Sequence, residues 1–341
     1  MSEVFVCIMS NNGKDQRLEY LRVFSCFMVI LGHIANWYMR EYPDLPMDSY
    51  VCALFFNGVC RVSVPIFFMI SGALLLEQPI NLKKNINRTG NMLLKTILWT
   101  LIYIVWDFFY LNLKYDFHEI FSTPVRVHFW FMYVMVGIYA TIPFWQKLVR
   151  DASKELLQYF CILFIAASIV GFILKFNSMG VAYEIPLVGN CCYVCYFIMG
   201  YIIRHYIDEI KIKKWISILI IIGCVITTDL LTFSYSQKLG VHFEAFSGFQ
   251  SVFIGLSAMS IFYLVLKLNY LKERKWIAII SKHSFSIYMT HVFFLDILQE
   301  NLDVSKISAW IGFPISFIIL LATSFGFSWI LDKAKAGHPA L

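Results

Sequence analysis

Charge is what this sequence has least of. Of its 341 residues only 15% are Asp, Glu, Lys or Arg, against about 25% in an ordinary soluble domain. The apolar share is 59%, so the polar surface is too small to clothe a water-soluble fold of this length. Metal-ligand patterns are missing too. The nine cysteines, Cys191, Cys192 and Cys195 among them, lie mostly in apolar runs with no histidine at ligand spacing, which argues against a metal centre and leaves them as small packing residues. No basic patch interleaved with aromatics accompanies the net charge of +6, which argues against a nucleic-acid surface. The stretch from Met1 to Asn12 has neither a basic n-region nor a small-residue cleavage site. No removable signal peptide is therefore expected, and the first span would act as an uncleaved signal.

What the chain does have is a succession of nearly uncharged windows of about 20 residues, each long enough to cross a hydrocarbon core of about 30 Å as a helix. Lipid offers backbone groups no partner, so every such window must satisfy its own hydrogen bonds, and helix follows. Spans are predicted near 18–39, 51–76, 91–113, 128–146, 155–175, 186–205, 215–234, 248–268, 283–300 and 308–331. With the N-terminus inside, alternate loops collect Lys83, Lys84, Arg88, Lys147, Arg150, Arg204, Lys213 and Lys272, whereas the opposite loops hold only Arg40, Lys114, Arg126, Lys238 and Lys306. Such a bias sets orientation. The expectation is an all-α integral membrane protein of the cell (inner) membrane, a single multi-pass bundle of about ten transmembrane helices with both termini cytoplasmic. It forms one domain over 1–341, without a fused extracytoplasmic domain and without an inverted internal repeat. The sequence leaves the oligomeric state open.

Ionisable side chains at membrane depth cost several kcal/mol unless partnered or solvated, so each marks a candidate site. Here they are His33, Arg61, Asp107, Asp229, His291 and Asp296. At 1.5 Å per residue, His33 comes out about 22 Å above the start of the first span and Arg61 about 15 Å below the outer face, at similar depths. The three aspartates fall in the outer half. Together they predict a polar chamber, and a polar chamber needs a polar ligand. The alternative is that these groups bond neighbouring helices or face water at helix ends.

The first span contains Glu19 and then Arg22, ten residues and His33, and the second reads Arg61-Val-Ser-Val-Pro65-Ile-Phe67-Phe68-Met-Ile-Ser71-Gly72. These runs resemble the signature of membrane acyltransferase family three. Two further stretches, His128-Phe-Trp130-Phe-Met-Tyr133 with Tyr139 and Pro143, and Ser286-Ile-Tyr288-Met-Thr-His291, are similar to its surface-polysaccharide O-acyltransferase branch. The likeness spans nearly the whole chain. After the second span the family carries a denser arginine pattern than the Lys83, Lys84, Arg88, Asn91 and Lys95 found here.

The resemblance implies a cytoplasmic acyl-CoA donor, with acetyl-CoA expected and no metal. It also implies an acceptor hydroxyl on a cell-surface glycan or its lipid-linked precursor. Transfer needs a base for the hydroxyl proton, and histidine suits neutral pH, so His33 takes that role, with Arg22 and Arg61 beside it as catalytic candidates. No serine or cysteine pairs with His33 by spacing, which favours direct attack by the acceptor over an acyl-enzyme. Guanidinium and ammonium groups suit the donor's phosphates, which points to Arg22, Lys83, Lys84 and Arg88. The two lysines are equally explained by the positive-inside rule, and Arg22 by an ion pair with Glu19. Asp107, His128, Trp130 and His291 are the candidates for acceptor binding. Glu19, Ser71 and Gly72 are structural, the last two as small residues that let helices approach. A transporter or exporter of a polar solute would show the same span count and buried charges, and a membrane scaffold would use those charges as glue.

Overall fold

The computed structural model describes residues 15–116, 118, 123–176, 192–268 and 270–337. The readings made for Met1 to Asn12, for Cys191 and for the first residues of the predicted 186–205 span lie outside them. Among the described residues every regular element is a helix: α1 (Gln16–Arg40), α2 (Met47–Cys60), α3 (Ser63–Leu75), α4 (Leu82–Phe109), α5 (Trp130–Asp151) and α6 (Lys154–Phe176) come first. They are followed by α7 (Cys192–His205), α8 (Lys214–Leu239), α9 (Val252–Leu266), α10 (Lys275–Asn301) and α11 (Ala309–Gly337). The protein is thus an all-α membrane protein. Eight stretches are long and apolar enough to cross a bilayer, α2 and α3 counting together as one 29-residue span. The remaining predicted spans fall on α7 and on α10, whose Lys275, Lys282, His283, His291 and Asp296 dilute its apolar character.

The chain divides into two compact units, residues 75–152 and the rest. In the smaller unit α4 and α5 pack together. Asn85 donates to the Tyr139 carbonyl at 2.9 Å, and Gln146 donates to the Leu75 and Gln78 carbonyls at 2.8 and 3.1 Å. These amides close backbone acceptors that lipid would otherwise leave unsatisfied.

In the larger unit the helices run alternately up and down, and their basic ends meet. Asp15 caps α1 by accepting from the Arg17 amide, and pairs with the Arg17 side chain at 2.9 Å and with Arg204 at 3.7 Å. Arg17 also donates to the Leu266 carbonyl at 2.8 Å, and Arg204 to that of Ala73 at 2.8 Å. Burial pushes the Asp15 carboxyl up, but the bond and charge of Arg17 and the charge of Arg204 outweigh it and hold the group below its ordinary value. Its contribution is therefore present at neutral pH and is lost as pH falls through that lowered value. Lys282 and Asp332 bring the last turns of α11 to the same end.

The second span is broken at a particular place, and its own sequence explains why. Pro65 has no amide hydrogen, and its ring clashes with the carbonyl four residues earlier, which is that of Arg61. Helix α2 accordingly stops at Cys60 and α3 begins at Ser63, leaving Arg61 as the C-cap of α2. The break puts a guanidinium at a helix C-terminus, where the partial negative charge of the helix dipole favours it.

Gly72 lies at a close approach of two helix backbones. A Cβ on Gly72 would fall 1.6 Å from the Phe197 carbonyl oxygen, and one on Gly200 would fall 2.0 Å from that of Met69. The backbones of α3 and α7 therefore touch at reciprocal glycines, a fit that gives membrane helices van der Waals contact where hydrophobic transfer gives none. Ser71 donates to the Phe67 carbonyl within its own helix at 3.0 Å. Gly72→Val is expected to cost at least about 3 kcal/mol, the upper range for overpacking, because the clash is with backbone that cannot rotate away. Size-exclusion profiles in mild detergent would check this, and a monodisperse, wild-type-like peak would refute it.

Candidate active site

His33 lies 17 residues beyond the start of α1, about 25 Å along its axis, and Arg61 lies about 21 Å from the start of α2. Both sit deep in the larger unit, and both remain half-buried, although Asn57, Ile34 and His291 around them are buried. Two ionisable side chains at this depth mark a candidate site.

The two histidines expected to serve different purposes come together. The rings of His33 and His291 are 4.9 Å apart, centroid to centroid, tilted by 59°. The Nδ1 atom of His291 is 2.7 Å from the Tyr288 carbonyl oxygen. A carbonyl only accepts, so Nδ1 carries a proton, and in the neutral ring the lone pair is on Nε2. The backbone of α10 thus sets the tautomer of the ring beside His33.

Arg61 is held from one side. Its Nε donates to Asn57 Oδ1 at 3.0 Å, one helical turn earlier, and its guanidinium carbon is 5.6 Å from the centre of the Phe249 ring. Glu244 attracts it without reaching ion-pair distance, and among the described residues Arg61 has no ion pair. Its terminal amino groups remain open to a ligand. Asp107, in the smaller unit, is fully buried and bonded by Arg126 and Tyr115. Asp229 lies against Gly58, one turn before Arg61.

At the basic end of the larger unit, Arg22 is buried and donates to Glu19 Oε1 at 2.9 Å and to Ser281 Oγ at 3.1 Å. The ion pair considered for it is formed, and α10 supplies a second partner. The Nε of Arg22 is buried without a hydrogen-bond partner among the described residues. Because Glu19 is only 7% exposed, Arg22→Ala would leave a carboxylate buried and uncompensated, at an expected cost of about 3 kcal/mol or more. Thermal melting in detergent should show the loss, and Glu19→Gln in the same chain should restore most of it. No recovery in the double variant would mean that Arg22 stabilises by some other contact.

Asp296 is buried on α10 of the larger unit, and the remaining predicted residues belong to the smaller unit. Lys83 and Lys84 are exposed near the start of α4, while Arg88 is buried and its guanidinium lies 3.4 Å from Gln78 Oε1. His128 is buried, its ring 5.3 Å from that of Tyr103, over which the Arg126 guanidinium also lies at 5.8 Å. Trp130 is half-buried at the first turn of α5. Among the described residues no group of histidines, cysteines and acids is arranged to hold a metal ion. Seven cysteines, Cys192 and Cys195 included, are free thiols, and six of the seven are buried.

Several site residues escaped the sequence reading. Asn57 carries a signal, since it precedes Arg61 by four residues, a spacing that places two side chains on one helix face. Asn36 and Arg40 follow His33 by three and seven and share its face in the same way. Glu244 and Phe249 carry no local signal, because only the fold brings the connection between α8 and α9 to α1 and α2.

No curated protein and no solved structure matches the chain. A family model described as an acyltransferase domain does match, over residues 15–333. The arginine, histidine and proline of the first two spans lie inside that match and supply, in this structure, a base candidate, a cation and the helix break beside it. The chain belongs to acyltransferase family 3 and is a membrane acyltransferase.

Proposed function

We propose that this protein transfers an acyl group, acetyl first among them, from cytoplasmic acyl-CoA to a hydroxyl of a cell-surface glycan or its lipid-linked precursor, across the cell membrane. The observation that carries the reading is the pairing of His33 with His291 at the depth of an open Arg61 fork. In the proposed step the acceptor hydroxyl gives its proton to His33 as its oxygen attacks the thioester carbonyl. Arg61 meets the oxyanion that forms, at the helix break. Collapse breaks the carbon–sulfur bond, leaves the new ester, and the departing thiolate takes the proton back from His33. Atoms and charge balance without a further reactant.

Arg22 is the proposed contact of the larger unit for the donor's phosphates, as a guanidinium suits them. Lys83, Lys84 and Arg88 stand at the basic end of the smaller unit, the end from which a cytoplasmic polyanion arrives. Purified protein incubated with labelled acetyl-CoA tests the reading. A transferase releases label to water slowly and moves it onto added glycan, whereas a solute carrier does neither, and complete inertness toward the thioester would reject the proposal.

A further inference from the structure

Above His33, one face of α1 continues outward as Asn36 and Arg40, about 4.5 and 10.5 Å higher along the helix axis. Exposure rises along the same line, from half-buried His33 and Asn36 to exposed Arg40. Opposite this face stands the connection between α8 and α9. With the Asn36 amide assigned from its bonding network, its nitrogen donates to Glu244 Oε1 at 3.1 Å and its oxygen accepts from Arg40 at 3.3 Å. Amide, carboxylate and guanidinium are thereby joined in one network at the outer mouth of the site.

That connection is pinned at three points. Ser236 Oγ accepts from the Phe243 amide at 2.9 Å, the Tyr50 hydroxyl and His242 Nδ1 are 3.0 Å apart, and the Tyr196 hydroxyl donates to the Phe249 carbonyl at 2.8 Å. Glu244 is therefore placed by a braced segment, as a preorganised binding group must be. It uses one of its roughly four acceptor positions on Asn36, and Arg40 uses one of its five donors on Asn36, so most of both inventories is open. A cluster rich in planar donors and acceptors matches a ligand that presents adjacent hydroxyls.

Resting on the transferase reading, we propose that Asn36, Arg40 and Glu244 form the acceptor subsite, which binds the sugar ring whose hydroxyl is presented to His33 from the outer side. These residues recognise and position the acceptor, and none takes part in bond making. Truncating a hydrogen bond to a charged partner weakens binding by about tenfold or more. Glu244→Gln and Arg40→Ala should therefore raise the KM for glycan by about that factor while the KM for acetyl-CoA stays within about twofold.

The probes are labelled acetyl-CoA and envelope glycan of the producing cells, stripped of esters by mild alkali. Glycan binding is measured separately without donor, by thermophoresis of the labelled protein. Arg40→Ala, at an exposed position, keeps the test usable should Glu244→Gln fold poorly. Parallel rises in both KM values, or glycan binding equal to wild type in both variants, would overturn the subsite. Wild-type protein that binds glycan but transfers no label, with binding lost in the variants, would leave the subsite standing and remove the transferase reading. Wild-type protein that neither binds nor transfers would remove both.

Discussion

His33→Ala is expected to lower acyl transfer at least about a hundredfold while leaving the protein folded, the scale of loss usual when a general base is removed. The structure supports both halves of that expectation. His33 is half-buried, so its loss should open a space that water fills rather than a dry cavity. His291 stays 4.9 Å away, ring to ring, but its Nδ1–H is committed to the Tyr288 carbonyl, so it stands poorly placed to turn and substitute. Melting temperature in detergent close to wild type, together with label transfer reduced to background, is the expected pair of results. Partial recovery with added imidazole would further mark the defect as loss of a proton acceptor. Transfer within a few-fold of wild type would discard the base assignment.

Arg61→Lys is the second large effect. Lysine keeps the charge but has no planar fork and no Nε to bond Asn57, so it is a point charge on a mobile stem. If the guanidinium meets the oxyanion, turnover should fall about 10²- to 10³-fold, the range seen when one such donor is lost. Stability should change little, since the Arg61 side chain has one hydrogen bond, to Asn57, and one ring contact, to Phe249, with no ion pair among the described residues. A structural role predicts the reverse pattern. Melting temperature and activity would then fall together, and neutralising Glu244 in the same chain would restore both. Such a rescue, or turnover within a few-fold of wild type, would end the catalytic reading of Arg61.

These two residues show how much of the site was legible in advance. His33 and Arg61 stood out because an ionisable group in an apolar span is costly anywhere in the span, whatever it packs against. Counting 1.5 Å per residue from the span starts also placed them at like depth. The same count reached Asp107, yet depth says nothing about direction around the helix axis. The Asp107 carboxylate is bonded by Arg126 and Tyr115 within its own unit. His291 was found as a polar residue and given an acceptor role, but its ring contact with His33 joins residues 258 positions apart, and no periodicity reports such a pairing.

The sequence by itself determined the elements and their order. Scarcity of charge forces each apolar window into a lipid-spanning helix, because only a helix satisfies its backbone there. The bias of lysine and arginine is the basis for orienting the bundle. Pro65 determines locally that the second span breaks at Arg61, since the missing amide and the ring clash both act four residues upstream. Only the tertiary structure decided which polar groups meet. It sets His291 against His33, Ser281 against Arg22 and Glu244 against Asn36. It also seats Gly72 on the backbone of α7. Each of these depends on how a helix is rotated about its own axis, and that rotation is fixed by the summed fit of small and large side chains on its neighbours rather than by any residue within the helix.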